Sequence, residues 1–191
     1  MKILILSGSR NPEGRTARAV NAISKGVEKA GGNTECFFLP EMNLERCRQC
    51  ESDGWGVCRR EGHCIIEDDF SMLVDKIKES GVVVFATPVY FRDLSESMRG
   101  FLDRLRRICA FRADPPTKGI SAIGLSMAGG GGGGAVSACL NMESILQMCQ
   151  LDIVDMIPIR RQNFEVKLPM LETIGEWLAT KPTSGERSPI R

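Results

Sequence analysis

The chain holds one histidine and one tyrosine among its 191 residues. No candidate catalytic triad is recognisable, and with His63 as the sole imidazole acid–base catalysis by histidine is not expected. An excess of charge is also missing. Lys and Arg number 25, Asp and Glu number 24, and the formal charge is +1, so no overall field draws in nucleic acid or a membrane surface. The basic residues Arg99, Arg104, Arg106, Arg107 and Arg112 form at most a local patch; its Arg104–Arg107 part reads as a solvated helix face with interface salt bridges, with attraction of a phosphate or an acidic partner as the alternative. Long apolar runs are absent too. The opening MKILILSGS is too short for a signal peptide or a membrane span and runs straight into a Gly/Ser turn. It reads as a buried first strand, and the protein as cytoplasmic. Two nucleotide signatures are lacking, the Gly-Lys-Ser/Thr ending of a P-loop and the GxGxxG dinucleotide pattern. The length suits one domain, taken as residues 1–180, with a disordered tail at 181–191 rich in Pro, Ser, Gly and Arg.

What is present is an alternation of strand and helix patterns. Lys2–Leu6 is an apolar run, and Ala17, Val20, Ile23, Val27 and Ala30 then recur at helical spacing. Gly31-Gly32 ends that helix, and Thr34–Leu39 reads as the second strand. After the long irregular stretch from Pro40 to Cys64, Asp68-Asp69 offers an N-cap to a helix marked by Phe70, Leu73, Val74 and Ile77. Val82–Ala86 is continuously apolar, as a strand buried on both faces should be. A helix carrying Met98, Phe101, Leu102 and Leu105, a strand at Ile120–Leu125, a helix with Cys139, Met142 and Leu146, a strand at Leu151–Ile157 closed by Pro158, and a short helix near Leu168–Leu178 complete the pattern. Such alternation predicts an α/β fold: a three-layer sandwich with a five-stranded parallel sheet of order 2-1-3-4-5, helices on both faces and a long cysteine-rich insertion.

In that topology ligands sit outside the carboxyl ends of the strands, at the switch point between strands one and three. Three unusual loops converge there. Ser7-Gly8-Ser9-Arg10 to Arg15-Thr16 leads from a strand into a helix, where free amides, hydroxyls and guanidiniums form an anion site; a plain turn before a helix is the simpler alternative. Thr87-Pro88-Val89-Tyr90-Phe91 sets an aromatic pair at a strand end, either against a planar ligand or packed on the next helix. Ala128–Gly134 includes six consecutive glycines, costly to order and suited to close approach of backbone to a partner. A phosphate cradle, an aromatic wall and a backbone rim together describe a mononucleotide with a planar head, and FMN fits.

The remaining feature is a group of four cysteines within eighteen residues: Cys47 and Cys50, then Cys58, then Cys64. In a reducing compartment clustered cysteines hold metal or do redox work. Four thiolates suit zinc or an iron–sulfur cluster equally on softness, and a loop without metal is the third alternative. Cys36, Cys109, Cys139 and Cys149 lie in apolar surroundings and read as buried small hydrophobes.

Gly8-Ser9-Arg10 with Thr16, the Thr87–Phe91 segment and the Gly129–Gly134 run, taken with the cysteine loop ending in Gly62-His63-Cys64-Ile65-Ile66-Glu67-Asp68-Asp69, resemble the NADPH-dependent FMN reductase family of flavodoxin-like proteins, in its iron–sulfur flavoprotein branch. The likeness covers roughly residues 1–160. It departs from the family pattern in two places: Arg15 stands directly before Thr16 where Asn or Ser is usual, and seven residues, not two, separate Cys50 from Cys58. The resemblance implies FMN as cofactor, with Ser7, Ser9, Arg10, Arg15 and Thr16 around its phosphate, Pro88, Val89, Tyr90 and Phe91 along its ring system, and Ala128, Gly129, Gly130 and Gly131 at the far edge. It implies a [4Fe–4S] cluster on Cys47, Cys50, Cys58 and Cys64. The expected activity is electron transfer from NAD(P)H or a ferredoxin-like donor to an acceptor, in a homodimer or homotetramer. A non-enzymatic electron carrier is the alternative.

Overall fold

The computed structural model describes residues 2–180; the expected tail at 181–191 lies outside them. Five strands form one parallel sheet: β1 (Lys2–Ser7), β2 (Asn33–Phe38), β3 (Val82–Pro88), β4 (Ser121–Ala128) and β5 (Asp152–Arg160), ordered β2-β1-β3-β4-β5. This is the expected order. The register is continuous from Ile3 opposite Val82 to Ser7 opposite Ala86, so β1 and β3 end side by side.

Side chains alternate across the sheet, as the strand period of two requires. Leu4, Leu6, Val83 and Phe85 face one core with α3 (Phe70–Lys78), α4 (Glu96–Cys109) and α5 (Ala135–Met148). Ile3, Ile5, Val82 and Val84 face a second core with α1 (Arg15–Lys29) and α6 (Phe164–Thr180). Two glycines let α1 and α6 touch backbone to backbone: a methyl group on Gly26 would strike the carbonyl of Glu172, and one on Gly175 the carbonyl of Ile23.

Several expectations are corrected. β5 does not stop at Pro158 but runs on to Arg160. It is an edge strand, where the missing proline N–H costs no ladder bond. The last helix is longer than predicted, with Pro169 inside it. Asp69 holds the N-cap position of α3 without a side-chain cap bond; its carboxylate accepts from the amide of Asn43 at 2.7 Å instead. Cys36 is exposed on the edge strand β2, whereas Cys109, Cys139 and Cys149 are buried as expected. The insertion is not wholly irregular: it contains α2 (Val57–Glu61).

Candidate functional site

Two separate cavities hold nearly all the residues singled out from the sequence. The first is an open groove of about 570 Å³ at the carboxyl ends of β1, β3 and β4. Ser9, Arg15, Thr16, Pro88, Val89, Tyr90, Gly129, Gly130 and Gly131 all line it. Ser7 and Ala128 do not; both are buried at the ends of their strands. Arg10 and Phe91 line an adjoining depression with Ser95 and Ser97. Asn11, Gly14, Met127, Gly132 and Gly133, which belong to the same loops but were not among the expected cofactor contacts, also line the main groove.

The first wall follows from local turn chemistry. The Ser7 hydroxyl accepts from the Ser9 amide at 3.4 Å, the Ser9 hydroxyl accepts from the Asn11 amide at 3.3 Å, and Asn11 Oδ1 accepts from the Glu13 amide at 2.9 Å. The loop thus delivers Gly14 as the N-cap of α1 with no side chain bonded to the helix end and no acidic residue in its first turn. The amides of that turn keep the electropositive end of a helix open to the groove.

The second wall is a tight hairpin. Tyr90 and Asp93 exchange backbone hydrogen bonds at 3.0 and 2.9 Å, forcing Phe91 to φ 48° and Arg92 to φ 68°. Left-handed backbone at two non-glycine residues costs on the order of 1–2 kcal/mol each. Strain of this kind persists where surrounding contacts impose it. Here Thr87 Oγ1 accepts from the Ser95 amide at 3.0 Å and the Val89 amide donates to the Met127 carbonyl at 2.9 Å. Tyr90 remains 55% exposed and Phe91 fully so. The third wall is the glycine run. A methyl group on Gly129, Gly130 or Gly131 would meet nothing within 4 Å, so side chains there would occupy the groove itself. Gly134, at φ 85°, packs directly on the Cα of Arg92 and joins this wall to the hairpin. A cradle of amides and hydroxyls closed by bare backbone fits a phosphorylated planar ligand such as FMN.

The second cavity is tight, about 20 Å³, and all four cysteines of the insertion line it together with Trp55, Arg104 and Arg107. Its walls are held by side chains. Arg104 is 2% exposed and Asp68 fully buried, and their guanidinium and carboxylate meet at 2.6 Å. The same guanidinium donates to the Glu45 carbonyl at 2.9 Å and to Cys64 Sγ at 3.3 Å, and it lies 4.2 Å from the centre of the Phe70 ring. Burial alone would push the Asp68 carboxyl up, but hydrogen bonds from Arg104 and from the amides of Glu45 and Phe70 outweigh it and leave it below its ordinary value. One arginine thereby ties the beginning of the insertion to its end.

The seven residues between Cys50 and Cys58 form a turn of their own, closed by Glu51 N–H donating to the Trp55 carbonyl at 2.9 Å and Gly54 N–H to the Glu51 carbonyl at 2.8 Å. Arg107 donates to the Gly54 carbonyl and stacks 4.4 Å over the Trp55 ring. Arg104 and Arg107 are thus committed to the insertion, and the expectation of a solvated face for the end of α4 is corrected at these two positions. The longer spacing is accommodated by an arm docked on α4.

Among the described residues no three of His, Cys, Asp and Glu are gathered closely enough to hold one metal ion. A tetrahedral zinc with bonds of about 2.3 Å draws its thiolates to within about 4 Å of one another. The cavity has a second property: Arg104 Nε and Arg107 Nε are buried without a hydrogen-bond acceptor. Four thiols and two arginines around one space, one of them already bonded to Cys64 Sγ, have the chemistry that holds an anionic thiolate-ligated group such as an iron–sulfur cluster. Ser97 of α4 donates to the Gly8 carbonyl in the depression adjoining the groove, and Arg104, Arg107 and Ile108 of the same helix line the cysteine cavity. At a rise of 1.5 Å per residue these positions are spaced about 10–16 Å along that helix.

The family model for NADPH-dependent FMN reductase matches residues 1–164, so the chain belongs to that family of FMN-dependent flavodoxin-like oxidoreductases. An iron–sulfur flavoprotein of Methanocaldococcus jannaschii is 32% identical over 131 residues, covering 68% of this chain and 65% of the relative. An iron–sulfur flavoprotein of Archaeoglobus fulgidus is 29% identical over 105 residues, covering 55% of this chain and 46% of the relative. The chain therefore spans about half to two thirds of these relatives. Among solved structures, an NAD(P)H:quinone oxidoreductase from Methanothermobacter marburgensis superposes with a TM-score of 0.70 at 18% identity, covering 93% of this chain and 96% of that one. The two-electron reduced flavodoxin of Megasphaera elsdenii gives 0.59 at 15% identity, covering 94% and 99%. These two likenesses establish the fold.

Proposed function

We propose that this member of the FMN reductase family is a two-centre redox protein. It binds FMN in the strand-end groove and a [4Fe–4S] cluster on Cys47, Cys50, Cys58 and Cys64, and it passes electrons from NAD(P)H or a ferredoxin-like donor to an acceptor. The observation that carries the reading is the pair of distinct cavities, one walled by backbone amides, hydroxyls and glycines, the other by four thiols and two arginines. The names of the archaeal relatives support the second centre. We further propose a single domain over residues 1–180 and a homodimer or homotetramer in the cytoplasm. Among the described residues no helix is long and apolar enough to cross a membrane.

FMN supplies the exchange of electrons in pairs or singly, and a cluster carries them one at a time. The chain's own residues do the rest. Ser9, Arg10, Arg15 and Thr16, with the first amides of α1, bind the phosphate by charge and hydrogen bonding. Pro88, Val89 and Tyr90 orient the ring system from one side, and Phe91 extends that wall into the adjoining depression. Gly129, Gly130 and Gly131 admit the ring edge against bare backbone, while Ser7 and Ala128 support the floor from beneath. No carboxylate or imidazole lines the groove, so the chain binds and orients there and leaves the redox step to the cofactor.

The test is an anaerobic titration of the FMN-loaded protein with NADPH, followed by a reduced low-potential protein donor, with flavin absorbance recorded throughout. Bleaching by NADPH supports the oxidoreductase. Bleaching by the protein donor alone converts the reading to an electron carrier. A protein that binds no FMN overturns it.

A further inference from the structure

Arg104 and Arg107 sit one helical turn apart on the same face of α4, and both line the cysteine cavity. They come from a different part of the chain than the thiols, and no spacing rule links them to the cysteines. Arg104 is held from every side, by Asp68, by the Glu45 carbonyl and by the Phe70 ring, and it donates to one of the four sulfurs, Cys64 Sγ. Arg107 is held by the Gly54 carbonyl and the Trp55 ring. Each keeps a buried Nε–H without an acceptor, a costly condition for a cationic donor. Asp68 is committed to Arg104, which leaves Arg107 without a carboxylate partner of its own within ion-pairing distance among the described residues.

We propose that Arg104 and Arg107 are the positioning and charge-compensating residues of the cysteine centre, and that their guanidiniums raise its reduction potential; the inference rests on the proposed cluster. Four thiolates around a cluster concentrate negative charge, and each added electron increases it. Fixed cations and hydrogen bonds to the sulfurs favour the more negative, reduced form, and buried ones are weakly screened. Arg104 has the larger structural share because it closes the insertion. Arg107 has the larger purely electrostatic share.

The test compares wild type, Arg107→Met and Arg104→Lys, each purified and reconstituted anaerobically with iron and sulfide. Cluster and flavin midpoint potentials are read by titration with electron paramagnetic resonance and absorbance. Arg107→Met removes the charge and preserves apolar cover for Trp55. Arg104→Lys keeps a cation beside Asp68 but loses the planar fork that reaches Cys64 and Glu45 together. The expected result is a negative shift of the cluster potential in both variants, larger in Arg107→Met, with the flavin potential unchanged. Full iron content with an unmoved cluster potential in both variants overturns the proposal alone, as does a drop in iron content with no change in the potential of the loaded fraction. Wild-type protein that takes up no iron and sulfide overturns the cluster reading and this proposal with it.

Discussion

The groove at the strand ends takes its shape from backbone, and the cysteine cavity takes its shape from side chains that reach across the chain. Around the groove, the amides of a helix start, a strained hairpin and six glycines are fixed chiefly by main-chain geometry, through short-range bonds such as Ser9 to Asn11 and Tyr90 to Asp93 and through bonds between adjacent strand ends such as Val89 to Met127. Around the cavity, Arg104 reaches 59 residues to Glu45 and Arg107 reaches 53 to Gly54. A site made of strand ends comes with the sheet. A site made of a long insertion forms only when something in the core reaches out to hold it. The two should therefore fail differently when perturbed.

The largest effect is expected at Arg104. Replacing it with methionine strands the buried Asp68 carboxylate, and breaking a buried pair in this way costs about 3–5 kcal/mol. Urea denaturation should show the loss, and proteolysis of residues 43–69 should accelerate well beyond that of the glycine run. Equal loosening at both sites would break the distinction.

Acid should act on the same pair. The Asp68 carboxyl is held below its ordinary value by Arg104 and two amides, against the opposing push of burial. Its contribution is therefore complete above the ordinary carboxylate range and is lost as pH falls through the depressed folded value. Hydrogen exchange in the insertion should rise in that acid window, and Asp68→Asn should already show fast exchange at neutral pH with no further acid step of this origin.

Gly134→Ala should act on the groove instead. A side chain at φ 85° with the Cα of Arg92 beneath it costs roughly 1–2 kcal/mol in backbone conformation alone. FMN fluorescence titration should show affinity weakened by about tenfold, or 1.4 kcal/mol, while the insertion keeps its wild-type proteolysis rate. The smallest effect belongs to Arg60→Gln. The Arg60–Glu51 pair is exposed, and such pairs contribute little to stability. Its removal should leave thermal unfolding within a few degrees of wild type.

The sheet order and the groove could be read from the sequence because both follow local rules. Apolar runs mark buried strands, and Ser9, Thr16, Tyr90 and the glycines mark strand ends by their position in the alternation. Phe91 was placed with them, but the positive φ at Phe91 and Arg92 carries no signal in residue type and appears only in the hairpin. The cysteines were visible as a motif, yet their frame was not. Arg104 and Arg107 read as part of a basic helix face, since helical spacing identifies a face without saying what will pack on it. Asp68 and Asp69 looked like a cap for the following helix; Asp68 does accept from the Phe70 amide while also binding Arg104, and Asp69 is turned to the Asn43 amide.

The measurement that goes most directly to the central claim is an absorbance spectrum of anaerobically purified protein, with FMN, iron, zinc and acid-labile sulfide determined on the same sample. The account predicts flavin bands with a broad iron–sulfur shoulder, and about four iron and four sulfide per chain. Flavin bands without iron and sulfide, or zinc in their place, would contradict it.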